Sequence, residues 1–147
     1  LTFIITYNNL SVLGIKELLW NILALRRRYS KDYQRIWFDT PILREPAWQS
    51  IKLLPEEYQM IHQEAIDFMQ ENIETSENRL HGFKDYEVLK MKRDKDWMLS
   101  GTTNVERKQG DFFKFFREHD RRRGTNFLQT FPEMQNFWDT CNYWSNK

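Results

Sequence analysis

The sequence predicts an α/β fold, in which one parallel βαβ unit is followed by a helical region. Residues 1–7 and 35–38 are rich in β-branched and aromatic side chains, the composition of buried strands. A helical repeat of apolar residues separates them, and two strands joined in this way are expected to run parallel with a right-handed crossover. We therefore divide the chain into residues 1–50, the βαβ unit, and residues 51–147, the helical region.

Composition restricts the class of protein. The chain has 147 residues, of which 40% are hydrophobic, enough for a sizeable core. Its 22 basic and 21 acidic residues give a net charge of +1, which favours neither nucleic acid nor an anionic membrane as a partner. Cys141 is the single cysteine, which we interpret as a small buried hydrophobe. A cytoplasmic protein without membrane segments is the expectation.

The first strand is predicted to end at Asn8 and Asn9, a turn signal. A helix over residues 14–29 follows, and its last turn carries Arg26, Arg27 and Arg28. Positive charge suits the C-terminal end of a helix dipole, so we interpret this triplet as solvated. A phosphate clamp is the alternative.

The second strand ends in a polar tip, Asp39-Thr40, before a loop bracketed by Pro41 and Pro46. Ligands of parallel α/β folds usually bind at the carboxyl ends of strands, which makes Asp39 and Thr40 the first candidate site residues. The structural alternative is that Asp39 only caps the turn.

Two parallel strands do not form a stable sheet alone, because nearly continuous apolar strands need cover on both faces and pairing at both edges. The sequence begins at Leu1 within an apolar run and has no initiator Met. We expect further N-terminal sequence to complete the sheet, or a homodimer partner to do so.

The helical region is predicted to contain helices over residues 53–72, 85–99 and 105–119, and a last helix that starts at a Thr-Phe-Pro-Glu capping box, residues 130–133. Phenylalanines of the third of these helices are predicted to lie in the core or an interface. Arg121, Arg122 and Arg123 are predicted to lie in a basic loop. Such a loop either binds an anion or is solvated and paired with Glu118 and Asp120.

Catalytic and metal-binding motifs are not apparent. His62, His81 and His119 lack the spacing of metal ligands, and the sequence has no phosphate-binding glycine loop or nucleophile motif. No metal site and no self-sufficient catalysis are predicted for this chain.

Several segments together resemble a known family. Residues 35–41 (RIWFDTP), 47–51 (AWQSI), 54–55 (LP) and 118–133 (EHDRRRGTNFLQTFPE) resemble the C-terminal half of radical SAM proteins with a twitch domain, of the kind found in cyanobacteria and their phages. The resemblance implies that residues 1–50 end a partial (β/α) barrel. It also implies a [4Fe–4S] cluster, held by a C-x3-C-x2-C loop, that cleaves S-adenosylmethionine (SAM) to a radical.

That cysteine motif is absent here, so neither cofactor is expected within this chain alone. The resemblance places Tyr7, Asn8, Asn9, Asp39 and Thr40 at strand tips that face SAM and a substrate, and it assigns none of them a catalytic role. The implied partner is the missing N-terminal half of the barrel or a second copy. The substrate, a small molecule or a peptide, is not identified.

We therefore expect a C-terminal fragment or truncated relative of a radical SAM enzyme that is inactive alone. The alternative is a stand-alone helical interaction module, which binds a protein partner through its aromatic helices and an anion or RNA through Arg121, Arg122 and Arg123.

Overall fold

A computed structural model describes all residues, 1–147. The elements are β1 (Thr2–Ile4), α1 (Ile15–Tyr29), β2 (Trp37–Asp39), α2 (Glu57–Glu71), α3 (Asp85–Leu99), α4 (Val105–Arg123), α5 (Phe127–Thr130) and α6 (Gln135–Ser145). Single 3₁₀ turns occur at Ala47–Gln49, Ile51–Leu53 and Pro132–Met134. The mixed α/β start and the helical continuation are thus as predicted. None of the helices combines the length and the apolar composition needed to cross a membrane.

The parallel βαβ unit is confirmed. β1 and β2 are hydrogen-bonded in parallel, with Phe3 opposite Phe38. Both strands are shorter than predicted, but pairing continues beyond them. The Leu43 N–H donates to the Tyr7 carbonyl at 2.9 Å, and Tyr7 forms an isolated parallel bridge with Ile42.

The prediction that both strands are buried is wrong for one face of the sheet. Phe38 and Tyr7 belong to the hydrophobic core, together with Ile22 of α1. On the other face, the side chain of Ile4 is 73% exposed and Trp37 is 39% exposed. Alternate residues of a strand point to opposite faces, so the core covers one side of the sheet and leaves open the side that bears Ile4 and Trp37 with their paired residues Asp39 and Thr2.

Arg26 is not solvated as predicted but completely buried at the end of α1. Its guanidinium donates to both carboxylate oxygens of Glu87, at 2.6 and 3.1 Å, and to the Ile36 carbonyl at 3.0 Å. The rings of Phe38 and Phe83 each lie 5.6 Å from its central carbon. The physical reason for the burial is this set of partners, since a charge leaves water only when its donors are satisfied. Arg27 and Arg28 are exposed, in agreement with the prediction.

Glu87 also fixes the start of α3. Its carboxylate accepts a hydrogen bond from the Lys84 N–H at 2.9 Å, one of the N–H groups that a helix start leaves without a partner. One buried carboxylate therefore joins the end of α1 to the first turn of α3.

Aromatic side chains hold the C-terminal helices together. Phe112 of α4 contacts the rings of Phe127 and Phe137, and Phe127 stacks on Trp138 with ring centroids 4.5 Å apart. Gly110 lets α4 approach α6 closely, because a Cβ at this position would lie 3.2 Å from the Ser145 backbone.

Two predicted details of this region are wrong. α4 continues through Arg123 and ends at Gly124, whose φ of 62° is the left-handed conformation that stops helices. Arg121, Arg122 and Arg123 therefore form the last helical turn and not a loop. The capping box at Thr130 does not form, because Thr130 ends α5 and the residue that precedes the following 3₁₀ turn is Phe131, which provides no side-chain cap.

We expect Glu87→Gln to destabilise the protein strongly, because it leaves the buried guanidinium of Arg26 without a counter-charge. The predicted loss is about 3 to 5 kcal/mol in the free energy of unfolding, measured by urea denaturation. The matched control is Glu64→Gln, which breaks the exposed Lys16–Glu64 pair at 3.4 Å and should cost less than about 1 kcal/mol. Equal effects of the two changes would contradict the structural role of Arg26.

Candidate functional site

A cleft of about 420 Å³ opens at the carboxyl end of β2. Asp39, the last residue of the strand, forms one side of it, and the segment after the strand contributes Arg44. The third side is α3, which contributes Lys90, Arg93 and Trp97. These three residues are three and four positions apart, the spacing that places side chains on one face of a helix.

The cleft is predominantly cationic. Lys90 donates to Asp39 at 2.7 Å, and this hydrogen bond holds the pKa of the Asp39 carboxyl below its usual value. Arg44 has no carboxylate partner, and its guanidinium lies 5.4 Å from the Trp97 ring centroid. The Lys52 ammonium, also unpaired with any carboxylate, lies 3.6 Å from the same centroid.

A buried carboxyl group, that of Asp94, lies behind the cleft. The Thr40 hydroxyl donates to it at 3.1 Å, and Arg93 donates to its other oxygen at 3.2 Å. Burial raises the pKa of Asp94 above its usual value. Thr40, itself buried, therefore supports the site from below and does not line the cleft.

A second buried polar chain begins at Tyr7. Its hydroxyl lies 2.6 Å from Nδ1 of His62, whose Nε2 lies 2.8 Å from the Met91 carbonyl. A carbonyl can only accept, so Nε2 carries the proton and Nδ1 accepts from Tyr7. Burial lowers the pKa of His62 from its usual 6.5 and raises that of Tyr7. Tyr7 thus anchors the segment after β1 to α2 and α3 and is not exposed to a ligand.

The asparagines after β1 shape the backbone. Asn8 accepts a hydrogen bond from the Leu10 N–H at 2.9 Å, as in an Asx turn. Asn9 is buried and donates to the Trp48 carbonyl at 3.0 Å, while its own side-chain oxygen has no partner. Of the five predicted strand-tip residues, Asp39 is the one that lines the cleft.

The three arginines of the last α4 turn lie far along the chain from this cleft, and two of them, Arg122 and Arg123, line a separate groove of about 550 Å³. Glu118 accepts hydrogen bonds from Arg121 at 2.7 Å and from Arg122 at 2.6 Å, and these arginines lower its pKa to about 2. Arg123 has no carboxylate partner and lines the groove with Lys114, Phe115 and His119.

The cationic residues that line the cleft, Arg44, Lys90 and Arg93, were not predicted from the sequence, and neither were Trp97 beside them and Lys52 against its ring. The sequence does indicate that Lys90, Arg93 and Trp97 share one face of α3, because residues three and four positions apart lie on the same side of a helix. Their meeting with Asp39 depends on how α3 packs against β2, which spacing alone does not specify.

The chain does not provide ligands for an iron–sulfur cluster. Cys141 is completely buried in α6, and burial raises the pKa of its thiol to about 12, so the thiolate that binds iron is disfavoured. No group of three or more His, Cys, Asp or Glu side chains is arranged to hold a metal ion. The residues present therefore do not fit the cluster that the resemblance implies.

Asp39→Asn and Thr40→Val should differ in their effect on stability, because Asp39 lines the cleft whereas Thr40 is buried behind it. The Asp39 side chain is 45% exposed, so its pair with Lys90 is screened and its loss should cost under about 1 kcal/mol. Thr40→Val keeps the shape but removes a buried donor from Asp94, which should cost about 1 to 3 kcal/mol. Urea denaturation measures both. A larger loss for Asp39→Asn than for Thr40→Val would show that Asp39 is chiefly a structural cap.

The pKa of His62 predicts a pH dependence of stability. Because burial lowers this pKa in the folded state, the unfolded chain binds the proton more readily, and stability is lost as the pH falls below about 6.5. The measurement is the free energy of unfolding between pH 5 and pH 8 in the wild type and in His62→Gln. Asp94, whose pKa is raised, changes stability with pH in the opposite direction to His62. Its contribution is present in both profiles and cancels in their difference. A difference that does not change with pH would contradict a neutral, buried His62.

Comparison with protein-family models, with curated proteins and with solved structures finds no match for this chain.

Proposed function

We propose that this chain forms the closing strands of a radical SAM-type partial barrel and one wall of its ligand site. The observation that carries the proposal is the one-sided cover of the β1–β2 sheet. In (β/α) barrels the helices cover the outer face of the strands, and the inner face packs against side chains of other strands. The face bearing Ile4 and Trp37 corresponds to the inner one, because the core with α1 lies on the other side.

The position of the cleft gives further support. It opens at the carboxyl end of β2, the end at which ligands of parallel α/β folds bind. Within this proposal Arg44, Lys90 and Arg93 bind and orient the ligand, and Asp39 accepts its hydrogen-bond donors. Within this proposal the cluster would be held outside this chain, because this chain lacks its ligands.

The test uses a polypeptide that joins this chain to an N-terminal segment with the C-x3-C-x2-C motif. We expect that anaerobic reconstitution with iron and sulfide gives iron–sulfur absorption, and that addition of SAM and a reductant yields 5′-deoxyadenosine. Replacing the three cysteines by alanine is the control and should abolish both signals. A colourless protein, or a cluster-loaded protein with no SAM cleavage, would contradict the proposed function.

The groove beside α4 favours a second candidate function, an interaction module. Arg123 and Lys114 have no carboxylate partner there, and Phe115, 46% exposed, lies against Trp48 with ring centroids 4.3 Å apart. Cations next to an exposed aromatic ring suit an acidic peptide or an RNA strand. Replacing Arg122 and Arg123 by Gln should weaken such binding, and the salt dependence should become shallower.

A further inference from the structure

We propose that the cleft at the end of β2 binds the anionic group, phosphate or carboxylate, of a small-molecule substrate. This inference rests on the proposed function only in calling the ligand a substrate. The binding itself follows from residues of this chain.

Charge is the first argument. Three cationic side chains (Arg44, Lys90 and Arg93) line the cleft together with the carboxyl group of Asp39. The ammonium of a fourth, Lys52, lies 3.6 Å from the ring centroid of Trp97, which also lines the cleft. Burial raises the pKa of Asp94 above its usual value, and Asp39 is the carboxyl group that lines the cleft. The side chains of Arg44 and Lys52 make no hydrogen bond within the chain, so their donors remain available to a ligand.

Preorganisation is the second argument. Lys90 donates to Asp39, and Arg93 donates to the buried Asp94, so these hydrogen bonds orient two cations of α3 before a ligand binds. A ligand anion loses less free energy to ordering when the groups that bind it are fixed beforehand. Arginine also offers paired N–H donors that match the oxygens of phosphate and carboxylate.

The shape of the cleft indicates a compact anion. Lys52 and Arg44 lie 3.6 and 5.4 Å from the ring centroid of Trp97, so a nucleobase that stacked on the ring would compete with these cations. A volume of about 420 Å³ accommodates a small molecule.

Asp39 adds a second requirement for the ligand. Its Oδ1 accepts from Lys90 and from the Thr40 N–H, whereas Oδ2 has no partner. A carboxylate oxygen beside bound anions is matched by a hydroxyl or ammonium donor. We therefore infer a substrate that carries such a donor next to its phosphate or carboxylate.

The test is isothermal titration of this chain with inorganic phosphate and with succinate at low salt. We expect saturable binding that weakens as salt is added. The double variant R44Q/K52Q removes cations that make no internal hydrogen bond, so it should fold normally and raise Kd at least about tenfold. The matched control is Lys92→Gln, an exposed residue of α3 outside the cleft, and it should leave Kd unchanged. Tighter binding of phosphate or of succinate identifies which anion the substrate carries.

Absence of saturable binding by either anion would overturn the inference. It would also be overturned if R122Q/R123Q weakened binding while R44Q/K52Q did not, since the anion would then occupy the groove beside α4. The outcome is separate from that of the proposed function. Binding that depends on Arg44 and Lys52, without SAM cleavage by the larger polypeptide, would keep the anion site and reject the radical SAM assignment. SAM cleavage without anion binding would keep the radical SAM assignment and reject the anion site.

Discussion

The buried pair of Arg26 and Glu87 is the interaction on which the rest of the structure depends. Arg26 reaches from the end of α1 to the backbone just before β2, and Glu87 holds the first turn of α3. Transferring these charges out of water is costly. The cost is offset because all three guanidinium nitrogens and both carboxylate oxygens are hydrogen-bonded. The arrangement therefore tolerates little displacement of the three elements that it joins.

This constraint extends to the cleft. Lys90 and Arg93 follow Glu87 by three and six residues, so the carboxylate that pairs with Arg26 also sets the position of the helix that bears them. Asp39 lies three residues after Ile36, whose carbonyl accepts from Arg26. The Arg26–Glu87 pair therefore positions both the strand that bears Asp39 and the helix that bears Lys90 and Arg93. The geometry of the cleft depends on this buried pair.

Local sequence patterns predicted much of the fold. The features that they did not predict depend on contacts between residues that are distant in the sequence. The limits of α3 match the prediction because its polar start and the break at Ser100-Gly101 are local signals. Arg26 was placed in solvent because its partner is 61 residues away. The extension of α4 to Arg123 had a local signal in Gly124. Asp39 was predicted as a site residue from its position after a strand, and it lines the cleft, but the cationic residues Lys90 and Arg93 beside it come from another element.

The aromatic contacts between α4 and α6 have a kinetic consequence. Phe112, Phe127, Phe137 and Trp138 lie within 27 consecutive residues, so forming their cluster closes only short loops. The Arg26–Glu87 pair must close a far longer one. Contacts close in sequence form faster, and we expect the C-terminal helices to collapse first and the βαβ unit to dock onto α3 afterwards. The cleft, built across that late contact, would be the last part of the molecule to acquire its shape.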